Sequence, residues 1–403
     1  ITVLSAMSGT TDSLVRISRA AASGDRNAIE EQLAMLTDKY TRCIEELLRE
    51  RKQQALARMN ATFGLIRDEA AAFEEYESER KIIAQGELLT SAIFTAYLQE
   101  TGLKAECLYS PDFMVKDPGE KVDTERIGRA LARVAGDDST FFVAQGFICS
   151  DSQGRIDNLG RGGSDYSAAL MGAAVEAAEV QIWTDIDGMH NNDPRFVDNT
   201  RPIRTMSFDE AAELAYFGAK ILHPATIQPC KDHGIAVLLK NTMDPEAPGT
   251  TISNRDDDTK SFHAVAAKDG ITVIRIHSAR MLMAYGFLRK VFEIFEQYRT
   301  PIDMITTSEV AVSLTVDNDS HIDEIVRDLS ALGSIEIERG NSIVCVVGRM
   351  EHGDAGLAAR VFECVRGVPI KMISYGASHR SLAILIDTEH KKRTLQCLND
   401  GLF

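Results

Sequence analysis

Paired cysteines are the first thing missing from this sequence. Its seven cysteines fall at positions 43, 107, 149, 230, 345, 364 and 397 with no Cys-x-x-Cys among them. An odd, scattered set builds neither a disulfide framework nor a zinc site, so free thiols in a reducing cytoplasm are expected. No apolar run approaches the roughly 18 to 20 residues of a membrane span, and no basic-then-apolar export signal opens the chain. Positive charge is also short: 44 Lys and Arg stand against 60 Asp and Glu, a formal charge of -16. That balance argues against nucleic acid or an anionic membrane as a main partner. Any phosphate site must be local, made by a few basic groups and backbone amides. An initiator Met is absent too. Ile1 to Ser5 read as a strand already under way, and an amino-terminal piece is expected ahead of it.

What is present is enough chain for two or three domains, at 403 residues. From about 12 to 80, Ile29, Leu33, Leu36, Tyr40 and Ile44 recur at helical spacing between charged residues and Ala, which reads as a helical insertion. From about 81 to 241 short apolar strands alternate with helices: Phe141 to Gln145, Ser164 to Ala178, Val180 to Thr184, Phe208 to Tyr216 and Ala236 to Lys240. Such alternation predicts a mostly parallel sheet covered by helices on both faces, with phosphate ligands at the carboxyl ends of its strands. Asn254 to Lys260 is charged, lacks apolar residues and reads as a linker.

Beyond it the grammar repeats. Strand 272–277, helix 287–298, strands 302–307 and 310–316 and helix 322–332 lead to a strand at 335–338. Strand 342–347, helix 355–365, strands 370–374 and 381–386 and helix 390–402 follow. Two βαββα units predict two small α+β modules. The second has no closing strand of its own, so its sheet must be completed by, or shared with, the first.

Chemistry concentrates in Asn158-Leu-Gly-Arg-Gly-Gly-Ser-Asp165, between a strand and a helix. Three glycines in four positions let backbone N–H groups approach an anion, and the helix start adds positive dipole. Arg161 can grip a carboxylate or phosphate in bidentate fashion. Ser164 and Asp165 equally suit helix N-cap positions. The loop matches neither the Walker-A pattern nor the dinucleotide fingerprint.

The order of motifs resembles the aspartate kinases of the amino-acid kinase fold. The matching text is Ser5-Ala-Met-Ser-Gly-Thr-Thr-Asp12, Gly86-Glu87, Gln145-Gly-Phe-Ile148, Leu159-Gly-Arg-Gly-Gly-Ser-Asp-Tyr-Ser167, Trp183-Thr-Asp-Ile-Asp-Gly188, Asp193-Pro-Arg195, Glu210 to Ala215 and Phe217-Gly-Ala-Lys-Ile-Leu-His-Pro224. The tail, with Ile305-Thr-Thr-Ser-Glu309, resembles the paired ACT modules of monofunctional, lysine-sensitive members. The fold implied is a three-layer αβα kinase domain over 1–255, then two ferredoxin-like ACT modules over 265–403, at about 265–340 and 341–403 with shared strands. The activity implied is phosphoryl transfer from ATP, with Mg2+ held mainly on its phosphates, to the β-carboxylate of L-aspartate.

The resemblance also implies roles. Thr11, Glu87, Arg161 and Asp165 would hold aspartate, Arg161 on its α-carboxylate and Glu87 on its α-ammonium. Without the resemblance Glu87 would read as an ordinary helix-start carboxylate. Thr184, Asp185, His190, Arg195, Lys220 and Ile221 would meet the nucleotide. Arg161, Asp165 and Lys220 would carry the catalysis. His190 stands where relatives place a tyrosine, and Ile156-Asp-Asn158 where they carry threonines. His223, without a second ligand at metal spacing, reads as a turn residue, and no protein metal site is expected. The family's Lys-Phe-Gly-Gly-Thr-Ser loop does not occur, so turnover is expected to need a segment ahead of Ile1. The positions matching the lysine pocket are Met281, Ala284, Gly286, Leu288, Ile302, Asp303 and Ser308; Asp303, at a strand start, suits a ligand ammonium. Lysine is the first choice of effector, and a homodimer or dimer of dimers through the ACT modules is expected. The rival readings are another amino-acid kinase and a catalytically silent ACT-type sensor.

Overall fold

The computed structural model describes residues 1–119, 121–135, 137, 139–160, 162–218, 222, 224–255, 261–281, 285–350 and 356–403. It forms two compact units, Ile1–Val180 with Ala225–Val237, and Gln181–Pro224 with Leu238–Phe403. Among the described residues no helix is long and apolar enough to cross a membrane.

The first unit opens on β1 (Thr2–Leu4) and four helices, α1 (Thr10–Ser23), α2 (Arg26–Leu47), α3 (Lys52–Ala71) and α4 (Glu75–Glu100). Asp25 caps α2 by accepting from Ala28 N at 3.1 Å. Leu33, Leu36, Tyr40 and Ile44 then bury one stripe of α2 against Met59, Phe63, Ile66, Ile82 and Leu89. The helical run read over 12–80 therefore continues to Glu100. Glu87 lies in the middle of α4, which overturns its reading as a helix-start carboxylate.

β2 (Ala105–Cys107), α5 (Thr124–Ala135), β3 (Phe141–Gln145), β4 (Ile148–Ser150), β5 (Ile156–Asn158) and α6 (Gly163–Ala174) follow. β1, β3 and β2 pair in that order, all parallel, with Leu4 opposite Gln145. β4 and β5 form an antiparallel pair. Next come β6 (Glu179–Thr184), β7 (Thr205–Ser207), α7 (Phe208–Tyr216), α8 (Gln228–His233), β8 (Ala236–Asn241) and β9 (Thr250–Ser253). The second unit's first sheet has the order β6-β8-β9-β7, with β7 and β9 parallel. α7 starts at a capping box: Ser207 Oγ accepts from Glu210 N at 3.3 Å and Glu210 Oε2 accepts from Ser207 N at 3.0 Å.

The rest of the second unit holds β10 (Phe262–His277), α9 (Phe287–Gln297), β11 (Ile305–Thr307), β12 (Ala311–Val316), α10 (Ile322–Leu329), β13 (Ser334–Gly348), α11 (Leu357–Cys364), β14 (Met372–Tyr375), β15 (Ser381–Asp387) and α12 (Lys391–Leu402). They build one six-stranded sheet, β11-β12-β10-β13-β15-β14. The strands read at 335–338 and 342–347 are one strand, β13, turned at Gly340 with φ 79. β10 begins ten residues ahead of the strand read at Thr272. Its first half, Phe262 to Lys268, pairs with the second half of β13, Ile343 to Gly348. That half is the shared strand the second module needed. Two cores result, one around Ile274, Val291, Phe295, Leu314 and Leu329, the other around Val265, Val346, Val361, Ile384 and Leu398. Of the linker read at 254–260, only Asn254 and Arg255 lie among the described residues.

Candidate active site

In the first unit, β1 delivers the chain into a loop gripped by two helices. A Cβ on Gly86 of α4 would stand 2.8 Å from the Ala6 Cβ and 3.3 Å from atoms of Leu14 and Thr10, so only glycine lets α4 come this close. Glu87 Oε1 then accepts from Ala6 N at 3.2 Å. Thr90 Oγ1 accepts from Met7 N at 3.2 Å and donates to Gly86 O at 2.9 Å. From α2, the Lys39 ammonium donates to Ser8 O, and the Tyr40 hydroxyl lies 3.3 Å from Oγ1 of both Thr10 and Thr90. Gly9, at φ 74, turns the loop into α1 and leaves Thr11 half-buried in its first turn. Glu87 Oε2 is buried and has no hydrogen-bond partner among the described residues. Burial pushes the Glu87 carboxyl up to about 7, with the Ala6 N–H pulling the other way.

The glycine-rich loop docks on the same strand ends. Gly146 N donates to Leu4 O at 2.9 Å, and a Cβ on Gly146 would meet Ser164 Cβ at 2.7 Å. Phe147 N donates to Ser167 Oγ at 3.0 Å, and that hydroxyl donates to Gly163 O at 2.8 Å. Gly160 and Gly162 hold φ of 74 and 67. The residue capping α6 is Gly162, with no side-chain cap, so the N-cap reading of Ser164 and Asp165 is overturned. Asp165 sits instead in the first turn, half-buried, and burial pushes its carboxyl up to about 6. Beneath the loop start, Asp157 is paired with Arg80 Nε at 2.5 Å and Lys116 Nζ at 2.8 Å. Burial would raise its pKa, but those two cations outweigh it and hold the carboxyl below its ordinary value. The end of β1, the β3–β4 turn, the start of α6 and Glu87 are thus linked by direct contacts. Arg161 lies outside the described residues.

In the second unit, Thr184 closes β6, its carbonyl accepting from Thr242 N at 2.8 Å and its hydroxyl donating to Asp185 Oδ1 at 3.1 Å. His190 has both ring nitrogens engaged, Nδ1 at 3.0 Å from Thr200 Oγ1 and Nε2 at 2.8 Å from Asp187 Oδ1. Arg195 is largely exposed and forked onto Asp193, with Nη2 to Oδ2 at 2.6 Å. Lys220, Ile221 and His223 lie outside the described residues.

Met281, Leu288 and Ile302 are partly buried against one core, and Gly286, at φ 79, caps α9. Ser308 sits in the exposed turn between β11 and β12, and Ala284 lies outside the described residues. Asp303 is not at a strand start, since β11 begins at Ile305. Its carboxylate is already engaged: Oδ1 accepts from Tyr216 Oη and from Lys268 Nζ, each at 2.8 Å. Asp303 Oδ2 is buried without a partner among the described residues. Neither Tyr216 nor Lys268 stood out in the sequence; the signal for Lys268 is a lone cation closing the apolar run Phe262 to Ala267.

Comparison with known proteins agrees with both halves of this architecture. The model of the amino acid kinase family matches residues 1–241, and an ACT domain model matches residues 344–402. A curated relative, lysine-sensitive aspartokinase 3 of Escherichia coli, is 33% identical over 429 residues, spanning 100% of this chain and 92% of the relative. The structure of E. coli aspartokinase III in complex with aspartate and ADP, called the R-state, is similar with a TM-score of 0.85 and 32% identity, covering 100% of this chain and 92% of that one. Its T-state complex with lysine and aspartate is similar at a TM-score of 0.83, with the same identity and coverage. The chain belongs to the amino acid kinase family and, within it, to the aspartokinases.

Proposed function

We propose that this chain phosphorylates the β-carboxylate of L-aspartate with the γ-phosphoryl group of ATP, giving 4-phospho-L-aspartate, the first step toward lysine, threonine and methionine, in the cytoplasm. The observation that carries the reading is Glu87. A buried carboxylate with an unpartnered oxygen at a strand end is a receptor for a cation, and the α-ammonium of an amino acid supplies one. Asp165 adds a second raised carboxyl, for which no ion pair is found among the described residues. Thr11 flanks them at the start of α1, and Arg161, on the glycine-rich loop, suits the α-carboxylate.

Aspartate's side chain, with a free pKa of about 3.9, is ionised near neutrality, so the reaction requires no general base. The barrier is anion meeting anion, and catalysis becomes positioning and charge neutralisation. Thr184, Asp185, His190, Arg195, Lys220 and Ile221 are assigned to the nucleotide. With both nitrogens of His190 engaged inside the chain, it offers a ring face and no donor. Magnesium is assigned to the nucleotide phosphates, as the resemblance implies. Residues 1–255 form the kinase domain and 265–403 the ACT pair, which binds lysine at Met281, Ala284, Gly286, Leu288, Ile302, Asp303 and Ser308.

The test is a substrate panel on the intact enzyme, comparing ATP-dependent phosphorylation of aspartate, glutamate and acetylglutamate. Aspartate alone should be turned over efficiently. Arg161→Ala should lower kcat/KM for aspartate by on the order of 2 to 4 kcal/mol while nucleotide binding survives. Unchanged aspartate kinetics in that variant would remove Arg161 from the site.

A further inference from the structure

The end of α7 is fastened at two neighbouring points, one on Asp303 just ahead of β11 and one on the backbone of β10. Tyr216, its last residue, donates its hydroxyl to Asp303 Oδ1 at 2.8 Å. The same oxygen takes Lys268 Nζ at 2.8 Å, and Lys268 also reaches Asp317 Oδ2 at 2.8 Å and lies 4.5 Å over the Tyr216 ring. Two residues on, Gly218 adopts φ 123 and faces the β10 backbone so closely that a Cβ would fall 2.2 Å from the Ala267 carbonyl oxygen. In the sequence, Ala219, Lys220 and Ile221 follow directly. The residue anchored on Asp303 therefore lies four positions ahead of Lys220, where the segment assigned to the nucleotide begins, while Asp303 is the carboxylate assigned to the effector.

We propose that Tyr216 is a positioning residue for the nucleotide, and that its hydroxyl bond to Asp303 is the link through which an ammonium-bearing effector acts on phosphoryl transfer. This rests on the assignment of Asp303 to the effector and of Lys220 to ATP. The chemistry is competition for one carboxylate. Asp303 Oδ2 is buried and has no partner among the described residues, so an arriving ammonium has an acceptor waiting. Once a mobile cation shares the carboxylate with Lys268, the negative charge on Oδ1 that holds the Tyr216 hydroxyl is diluted, and the end of α7 loses one of its two fastenings. Burial, together with the bond to Asp303, raises the Tyr216 pKa well above its ordinary value, so the hydroxyl stays a donor throughout the working range. Reciprocity then requires that ATP and the effector weaken each other's binding.

The experiment is a double-mutant cycle on the intact enzyme with Tyr216→Phe, which keeps the ring but removes the donor, and Asp303→Ala, which removes the acceptor. Each variant should raise the ATP KM by about fivefold to tenfold, the scale of one hydrogen bond to a charged group, with the aspartate KM within about twofold. The double variant should be no worse than either single one, because both remove the same bond. A merely structural role would move both KM values together. Calorimetry with lysine on Tyr216→Phe separates the two levels: lysine should still bind but inhibit less. If ATP KM stays within about twofold in both variants, or the two effects add, the link is overturned. If lysine fails to bind the parent enzyme, the effector assignment falls, and the ATP cycle still decides the link.

Discussion

Glu87 turns a single burial event into a pH dependence. An ordinary glutamate at 4.5 is pushed up to about 7 here, so near neutrality the ligand-free site is a mixture of acid and carboxylate. For an acid raised on folding, the native state binds the extra proton between the two values, so stability falls as pH rises from 4.5 through 7. With Glu87 in its proposed role, aspartate binding should run the other way, because the ammonium needs the ionised form. Below pH 7 each aspartate bound must expel a proton from Glu87, and affinity should weaken by up to about tenfold per pH unit. Below about 6 Asp165 adds a second proton to expel. Calorimetry of aspartate binding between pH 6 and 8, in buffers of different ionisation enthalpy, should detect that release. Glu87→Gln should bind weakly and lose most of the dependence; an unchanged profile would assign the titration elsewhere. The identity of Glu87 was legible through its motif, but its burial was not, because the Ala6 contact spans 81 positions. The Tyr216 bond to Asp303 spans 87 and matched no motif at all.

Elements show the same division between what a short window carries and what it cannot. The bounds read for β3 and α7 match the structure to the residue, since a short apolar run and a helix that carries its own capping box are each complete within their own segments. β10 was read at half its length because Phe262 to Lys268 makes sense as a strand only opposite Ile343 to Gly348. Gly340, between the two strands read at 335–338 and 342–347, turns β13 where its pairing with β10 shifts register near Ile271. Gly86 tests how an element positions a site. Gly86→Ala gains about 1 kcal/mol of helix propensity, but its Cβ would stand 2.8 Å from that of Ala6, and overpacking costs about 1 to 3 kcal/mol. The clash should win, and it falls beside Glu87. The expected result is a small loss of thermal stability and an aspartate KM raised by about tenfold, with the ATP KM nearly unmoved. A variant with parent aspartate kinetics would show that α4 can shift without carrying the site with it.

For the whole molecule, regulation follows from how the six-stranded sheet ends. β11 and β14 are its terminal strands, and among the described residues each pairs with a single neighbour in the sheet. Ile305 on β11 and Ile373 and Tyr375 on β14 are substantially exposed. Strand ends of this kind are commonly covered by another copy, which favours a homodimer through the ACT sheets. A ligand held where two copies meet can favour one arrangement over another, and a bias of about 1 to 3 kcal/mol suffices for control. On the proposed assignment Met281 and Leu288 would line the aliphatic chain of lysine and Asp303 would take an ammonium. The prediction is that the intact enzyme sediments at twice the chain mass or a multiple of it, and that lysine inhibits it with a saturable titration. Asp303→Ala should relieve that inhibition. It should also raise the ATP KM in the absence of lysine, because Tyr216 loses its acceptor. Inhibition by threonine in place of lysine would keep the regulatory sheet and change its ligand. If neither amino acid acts on an enzyme that still sediments as a dimer, the ACT pair serves assembly rather than sensing.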